Sequence, residues 1–150
     1  MVRIRTYLER FIEVYFLTVF SFIYKEGLDR PFFFSYISSM IEKRPWGTYE
    51  VLLDKDNCKV KEIVVNPGQR LSYQYHHKRR EQWTVVEGTL TIVLDDEKVF
   101  REPGESIHIP LGACHRAWNE TDKHVKFIEV QTGTYFGEDD IVRLEDDYER

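Results

Sequence analysis

From Thr48 to Gln131 the chain is cut into nine short runs rich in β-branched and aromatic residues. They occupy 48–53, 58–65, 70–76, 81–87, 89–94, 98–102, 106–110, 115–119 and 125–131. Turn-forming residues separate them: NPG at 66–68, EG at 87–88, DDE at 95–97, EPG at 102–104 and LG at 111–112. Glycine and proline set backbone angles that a continuing strand does not use. Strands of this length, recurring about every 8–12 residues, predict an all-β barrel or sandwich.

Residues 1–39 are of another kind. They hold half of the aromatic side chains, and the run VYFLTVFSFIY at 14–24 follows Arg3, Arg5 and Arg10. That run is shorter than the roughly 20 residues that span a bilayer. Glu13 stands at its edge, and KEGLDRPFFF follows it in place of a small-residue cleavage site. Ile4, Leu8, Phe11, Ile12 and Tyr15 recur at helical spacing with Glu9, Arg10 and Glu13 opposite. This predicts an amphipathic helix that packs on the barrel or across a homodimer. Two alternatives stay open: association with a membrane surface, and a domain that starts at Met40, where the sequence changes character at MIEKRPWGTYE. The division expected is an N-terminal helical or aromatic extension over 1–39 and a barrel domain over 40–150. The charged tail GEDDIVRLEDDYER, with Ile141, Val142 and Leu144 inside it, predicts a short capping helix or an ordered arm.

A chain of 150 residues suffices for one domain with a real core. Its net charge of −5 argues against a general nucleic-acid binder, which carries a basic face. Cys58 and Cys114 are the two cysteines, and neither belongs to a C-x-x-C pair. They argue against a disulfide scaffold or a thiolate zinc site and fit a cytoplasmic protein.

The stretch QYHHKRREQW at 74–83 reads either as a solvated basic loop or as half of a metal site. Spacing favours the second. Gln74 and His76 are two apart on a strand, so their side chains share a face. Glu81 opens the next strand across a short turn, and His115 opens a later one. An amide oxygen, two imidazoles and a carboxylate suit a borderline divalent ion: zinc first, with manganese, iron, cobalt or nickel as alternatives. By parity His77 points away. His108 and His124 read as structural or exposed, and Cys114 as a small buried residue.

The spacing resembles the two cupin motifs, G-x5-H-x-H-x(3,4)-E-x6-G and G-x5-P-x-G-x2-H-x3-N. The second is matched from Gly104 through Pro110, Gly112 and His115 to Asn119. The first is matched from Gly68 to Gly88, with Gln74 where the first histidine usually stands. The resemblance implies a cupin double-stranded β-helix, a jelly-roll barrel. RPWGTYEVL, NPGQRLSYQYHHKRREQWTVVEGT and EVQTGTYFGEDDIVRLEDDYER further resemble the C-terminal domain of the type II mannose-6-phosphate isomerase / mannose-1-phosphate guanylyltransferase family. There the core stretch commonly reads like LSLQMHHHRAEHW. Lys78 and Gln82 replace two of its histidines, while Gln74, His76, Arg79 and Glu81 remain. The resemblance does not extend to the nucleotidyltransferase domain, so guanylyl transfer is not expected.

The resemblance implies a metal-dependent isomerase interconverting mannose 6-phosphate and fructose 6-phosphate through an enediolate. Gln74, His76, Glu81 and His115 are the expected metal ligands. Arg79 and Lys61 are the expected substrate contacts, for the phosphate or for catalysis; Lys61 shares inward parity with Ile63 and Val65. The expected partner is a phosphorylated hexose, with no nucleic acid and with membrane contact disfavoured. A non-catalytic sugar-binding cupin, a dioxygenase and a metal-free sugar-nucleotide epimerase remain alternatives. The general base is not assignable from sequence.

Overall fold

A computed structural model describes residues 41–149. The helix, membrane and start-site readings for residues 1–40 lie outside the described residues. Eleven strands run in the order β1 (Ile41–Arg44), β2 (Gly47–Lys55), β3 (Cys58–Val65), β4 (Tyr73–His76), β5 (Arg79–Glu87), β6 (Leu90–Leu94), β7 (Glu97–Arg101), β8 (Ser106–Ile109), β9 (His115–Trp118), β10 (Val125–Gly133) and β11 (Ile141–Glu145). One sheet is ordered β1-β2-β3-β10-β5-β8 and the other β11-β4-β9-β6-β7. Their pairings are antiparallel. Sequence neighbours often lie apart in a sheet, as in a jelly roll.

The nine expected strands are all represented, β4 in shortened form. Two strands were not expected. β1, IEKR, has no alternation of apolar and polar residues and is mostly exposed, so only its pairing with β2 marks it. The tail forms a single 3-10 turn at Glu138–Asp140 and then β11, which pairs with β4. The capping-helix reading is thereby corrected to an edge strand. Charge does not oppose that role, because polar side chains commonly protect sheet edges.

The inner face is divided along the strands. On β10 the buried side chains are Val125, Phe127, Glu129 and Gln131, in that order. Register sets Phe127 between Ile63 and Val85, Glu129 between Lys61 and Trp83, and Gln131 between Lys59 and Glu81. One end of the barrel is therefore apolar, built on Val65, Val85, Val125 and Phe127, with Leu90, Ile92 and Ala117 contributed by the second sheet. The other end gathers Lys61, Arg79, Glu81, Glu129 and Gln131. The apolar end supplies the burial that offsets the cost of enclosing these charges.

Turn chemistry fixes the strand ends. Gly68 takes φ +70 in the NPG turn, which Gln69 N–H closes onto Asn66 O at 3.1 Å. Asp95 and Asp96 both have positive φ in the two-residue hairpin between β6 and β7. Asp95 also receives the Cys114 N–H at 2.9 Å and donates its own N–H to Cys114 O, pinning the start of β9.

Candidate metal centre

Three strands bring the site together. His76 ends β4, Glu81 lies near the start of β5, and His115 opens β9. All three side chains are at most 2 % exposed. His76 Nε2 lies 3.1 Å from Glu81 Oε1, and His115 Nε2 lies 3.6 Å from Glu81 Oε2. One candidate ligand atom from each lies within 4.8 Å of the others. Donors bound to one zinc ion at about 2.0–2.2 Å stand roughly 3–4 Å apart, so the cluster has the dimensions of a coordination shell.

The hydrogen bonding fits a cation. His115 Nδ1 donates to Ala113 O at 2.9 Å, which fixes the tautomer and leaves Nε2 as a lone pair. Among the described residues, both ring nitrogens of His76 and Nε2 of His115 are buried without a hydrogen-bond partner. Such groups cost roughly 1–3 kcal/mol each unless something binds them. Burial pushes the His115 pKa down, favouring the neutral, ligating form. Burial pushes Glu81 up, but His76 and His115 outweigh it and hold the carboxyl well below the usual range. Glu81 is further held by Trp83 Nε1 at 2.9 Å, Gln131 Nε2 at 3.1 Å and Arg79 Nε at 3.4 Å.

Gln74 lies directly opposite His115 and, with Glu81, lines a pocket. Its Oε1 accepts from Ser72 Oγ at 2.7 Å. Lys61 is buried in the pocket wall over the Tyr49 ring, 3.9 Å from Glu129 and 3.5 Å from Glu138. Arg79 is 1 % exposed; its Nη1 donates to Gly137 O at 2.9 Å and lies 3.8 Å from Asp140. Gly133 allows that packing: a Cβ there would run into Lys78 O and the Arg79 backbone. His77, Lys78, His108 and His124 are exposed, and Cys114 is half-buried.

Sequence reasoning missed Glu129, Gln131 and Asp140. Glu129 is pushed up to about 8 by burial and by the facing Glu81 charge. Gln131 Nε2 donates to it at 2.8 Å. Both residues continue the inward parity of Val125 and Phe127, a signal present in KFIEVQ. Asp140, also buried, accepts the backbone N–H groups of His77 and Lys78, holding the turn between two ligand-bearing strands. A solvent-open pocket reaches Glu81 and is lined in part by Trp46, Tyr49, Ile63, Lys61 and Glu129.

Comparison with known proteins adds the context. The family model described as mannose-6-phosphate isomerase C-terminal matches residues 38–146. The xanthan biosynthesis protein XanB of Xanthomonas campestris pv. campestris is 47% identical over 107 residues, covering 71% of this chain and 23% of XanB. The mannose-1-phosphate guanylyltransferase ManC of Salmonella typhimurium is 45% identical over 107 residues, covering 71% and 22%. The chain thus spans under a quarter of the length of these relatives. A Klebsiella pneumoniae protein with a double-stranded β-helix domain superposes with a TM-score of 0.61 at 19% identity, covering 70% of this chain and 90% of that one.

Proposed function

The chain belongs to the mannose-6-phosphate isomerase C-terminal family, and from that premise we propose that its cupin barrel is a metal-dependent aldose–ketose isomerase interconverting mannose 6-phosphate and fructose 6-phosphate. The observation that carries the reading is the buried His76–Glu81–His115 cluster, with unpartnered imidazole nitrogens and with Glu81 lining a solvent-open pocket. Gln74, His76, Glu81 and His115 would hold the ion, zinc by preference. When bound, a divalent ion supplies Lewis-acid polarisation of the sugar oxygens at the first two carbons.

The chain's own residues supply the rest. Glu129 is the proposed general base: it lines the pocket beside Glu81, with its carboxyl held by the Gln131 amide. It would accept the carbon-bound proton from the second carbon, leaving an enediolate, and return it to the first carbon as the hydroxyl proton passes from the second oxygen to the first. Gln131, bridging Glu129 and Glu81, fixes the orientation of both carboxylates. Arg79 acts as a positioning residue, tying Glu81 to the Gly137 carbonyl. Trp46, Tyr49 and Ile63 narrow the pocket and limit water around the reacting carbons.

The test is a coupled assay of the purified chain with mannose 6-phosphate, before and after chelation and with zinc restored. Turnover lost to chelator and recovered with metal supports the reading. Stoichiometric metal without isomerisation identifies a binding module, and oxygen uptake identifies dioxygenase chemistry.

A further inference from the structure

The edge strand β11 carries an arginine for which the isomerase chemistry above has no task. Arg143 lies directly opposite Gln74, and Gln74 directly opposite His115. Directly opposed residues of antiparallel strands share a face. The three side chains therefore form a row across the inner surface, His115 at one end and Arg143 at the other. Two strand spacings separate those ends, about 10 Å between backbones. The register shifts just after Arg143, the kind of bulge that re-aims side chains beside functional sites.

Arg143 lines the pocket, and among the described residues its Nε is buried without a hydrogen-bond partner. The other pocket arginines are engaged: Arg44 with Glu42 at 2.9 Å and the Tyr49 hydroxyl at 3.1 Å, Arg79 with Gly137 O at 2.9 Å. Arg143 Nη2 lies 4.0 Å from Glu138 Oε2. Lys61 Nζ approaches the other oxygen of the same carboxylate at 3.5 Å. Both distances exceed the roughly 2.7–2.9 Å of a charge-assisted hydrogen bond. The Glu138 side chain is 53% exposed. Two cations thus converge loosely on one movable carboxylate at the pocket mouth, and one of them has a buried donor to spare.

We propose that Arg143 and Lys61 form the subsite for the phosphate monoester of the substrate, and that Glu138 is the carboxylate which that phosphate displaces. The row places the anion at the end opposite His115. A hexose phosphate carries its charge at the end opposite its carbonyl, so it spans that row. The identity of the sugar rests on the isomerase reading; the anion chemistry does not.

The experiment uses the full chain, zinc-loaded, as wild type, R143Q, R143K and E138Q. Rates against mannose 6-phosphate, inhibition by inorganic phosphate and zinc content are measured together. R143Q is expected to raise KM at least about tenfold, the factor that one lost charge-assisted hydrogen bond gives. Phosphate inhibition should weaken equally, kcat should change less, and zinc should stay stoichiometric. R143K should recover part of the loss, because lysine keeps the charge without the fork. E138Q should move phosphate inhibition the opposite way, strengthening it. An active wild type whose KM and phosphate inhibition are unmoved by R143Q, or weakened phosphate inhibition in E138Q, overturns the subsite and leaves the isomerase reading standing. A wild type inert toward mannose 6-phosphate overturns the isomerase reading instead. Calorimetric titration with inorganic phosphate then decides: binding that R143Q abolishes upholds the subsite, and no binding to wild type refutes it. Should R143Q not fold, the opposed shifts of R143K and E138Q still decide.

Discussion

Replacing Glu129 by glutamine should stabilise the metal-free protein and disable it in the same step. Folding raises the Glu129 pKa from 4.5 to about 8. Between those values the unfolded chain has released a proton that the folded chain still holds. The native state binds more protons there, so stability falls as pH rises through the window. The slope is at most about 1.4 kcal/mol per pH unit. By pH 7 the penalty is on the order of 3 kcal/mol. Glutamine has nothing to ionise and keeps an oxygen for the Gln131 Nε2 donor now at 2.8 Å. Urea melts in chelator should therefore show Glu129→Gln more stable than wild type at pH 7 by that order, with the difference vanishing near pH 4.5. Glu81 acts in the opposite sense: held low, it contributes stability that is fully present above about 4.5 and is lost as pH falls from there through its folded pKa, under this window. If Glu129 is the base, kcat of the zinc-loaded variant should also drop by about 10²–10⁴ with KM little changed. Parallel pH slopes for the two proteins, or a variant less stable at pH 7, would refute the assignment of a protonated buried carboxyl.

Further outcomes follow from the same geometry. His115→Ala should weaken zinc binding by more than about 100-fold, and elemental analysis showing retained stoichiometric zinc would remove His115 from the ligand set. Trp83→Phe deletes the 2.9 Å donor to Glu81 Oε2. It should cost about 2–3 kcal/mol in denaturant melts and weaken zinc roughly tenfold or more. Asp140→Ala frees two backbone N–H groups at the β4–β5 turn. It should speed amide exchange at His77 and Lys78, with weakened zinc binding as the functional readout. A chain restricted to 40–150 should melt cooperatively; aggregation would place part of residues 1–39 on the barrel.

Much was legible before any coordinates. Alternation of period two and the glycine- and aspartate-rich turns gave the strands, because side-chain direction and positive φ are local properties. The motif spacing around His76, Glu81 and His115 fixed which strand ends carry donors. Parity assigned His77 outward and Lys61 inward. Those are short-range facts, written in a few consecutive residues.

Pairing between distant strands was not legible. Glu129 stands in KFIEVQ like any strand glutamate; only the register with Lys61 and Trp83 sets it beside Glu81 and raises its pKa. Arg143 sits in a charged tail that reads as solvated until β11 docks on β4 and aims it across Gln74 at the pocket. Arg79 looks like a surface cation until Gly133 lets β10 close over it. Local sequence sets which way a side chain points. What it points at depends on partners dozens of residues away, joined by backbone hydrogen bonds that any sequence can make.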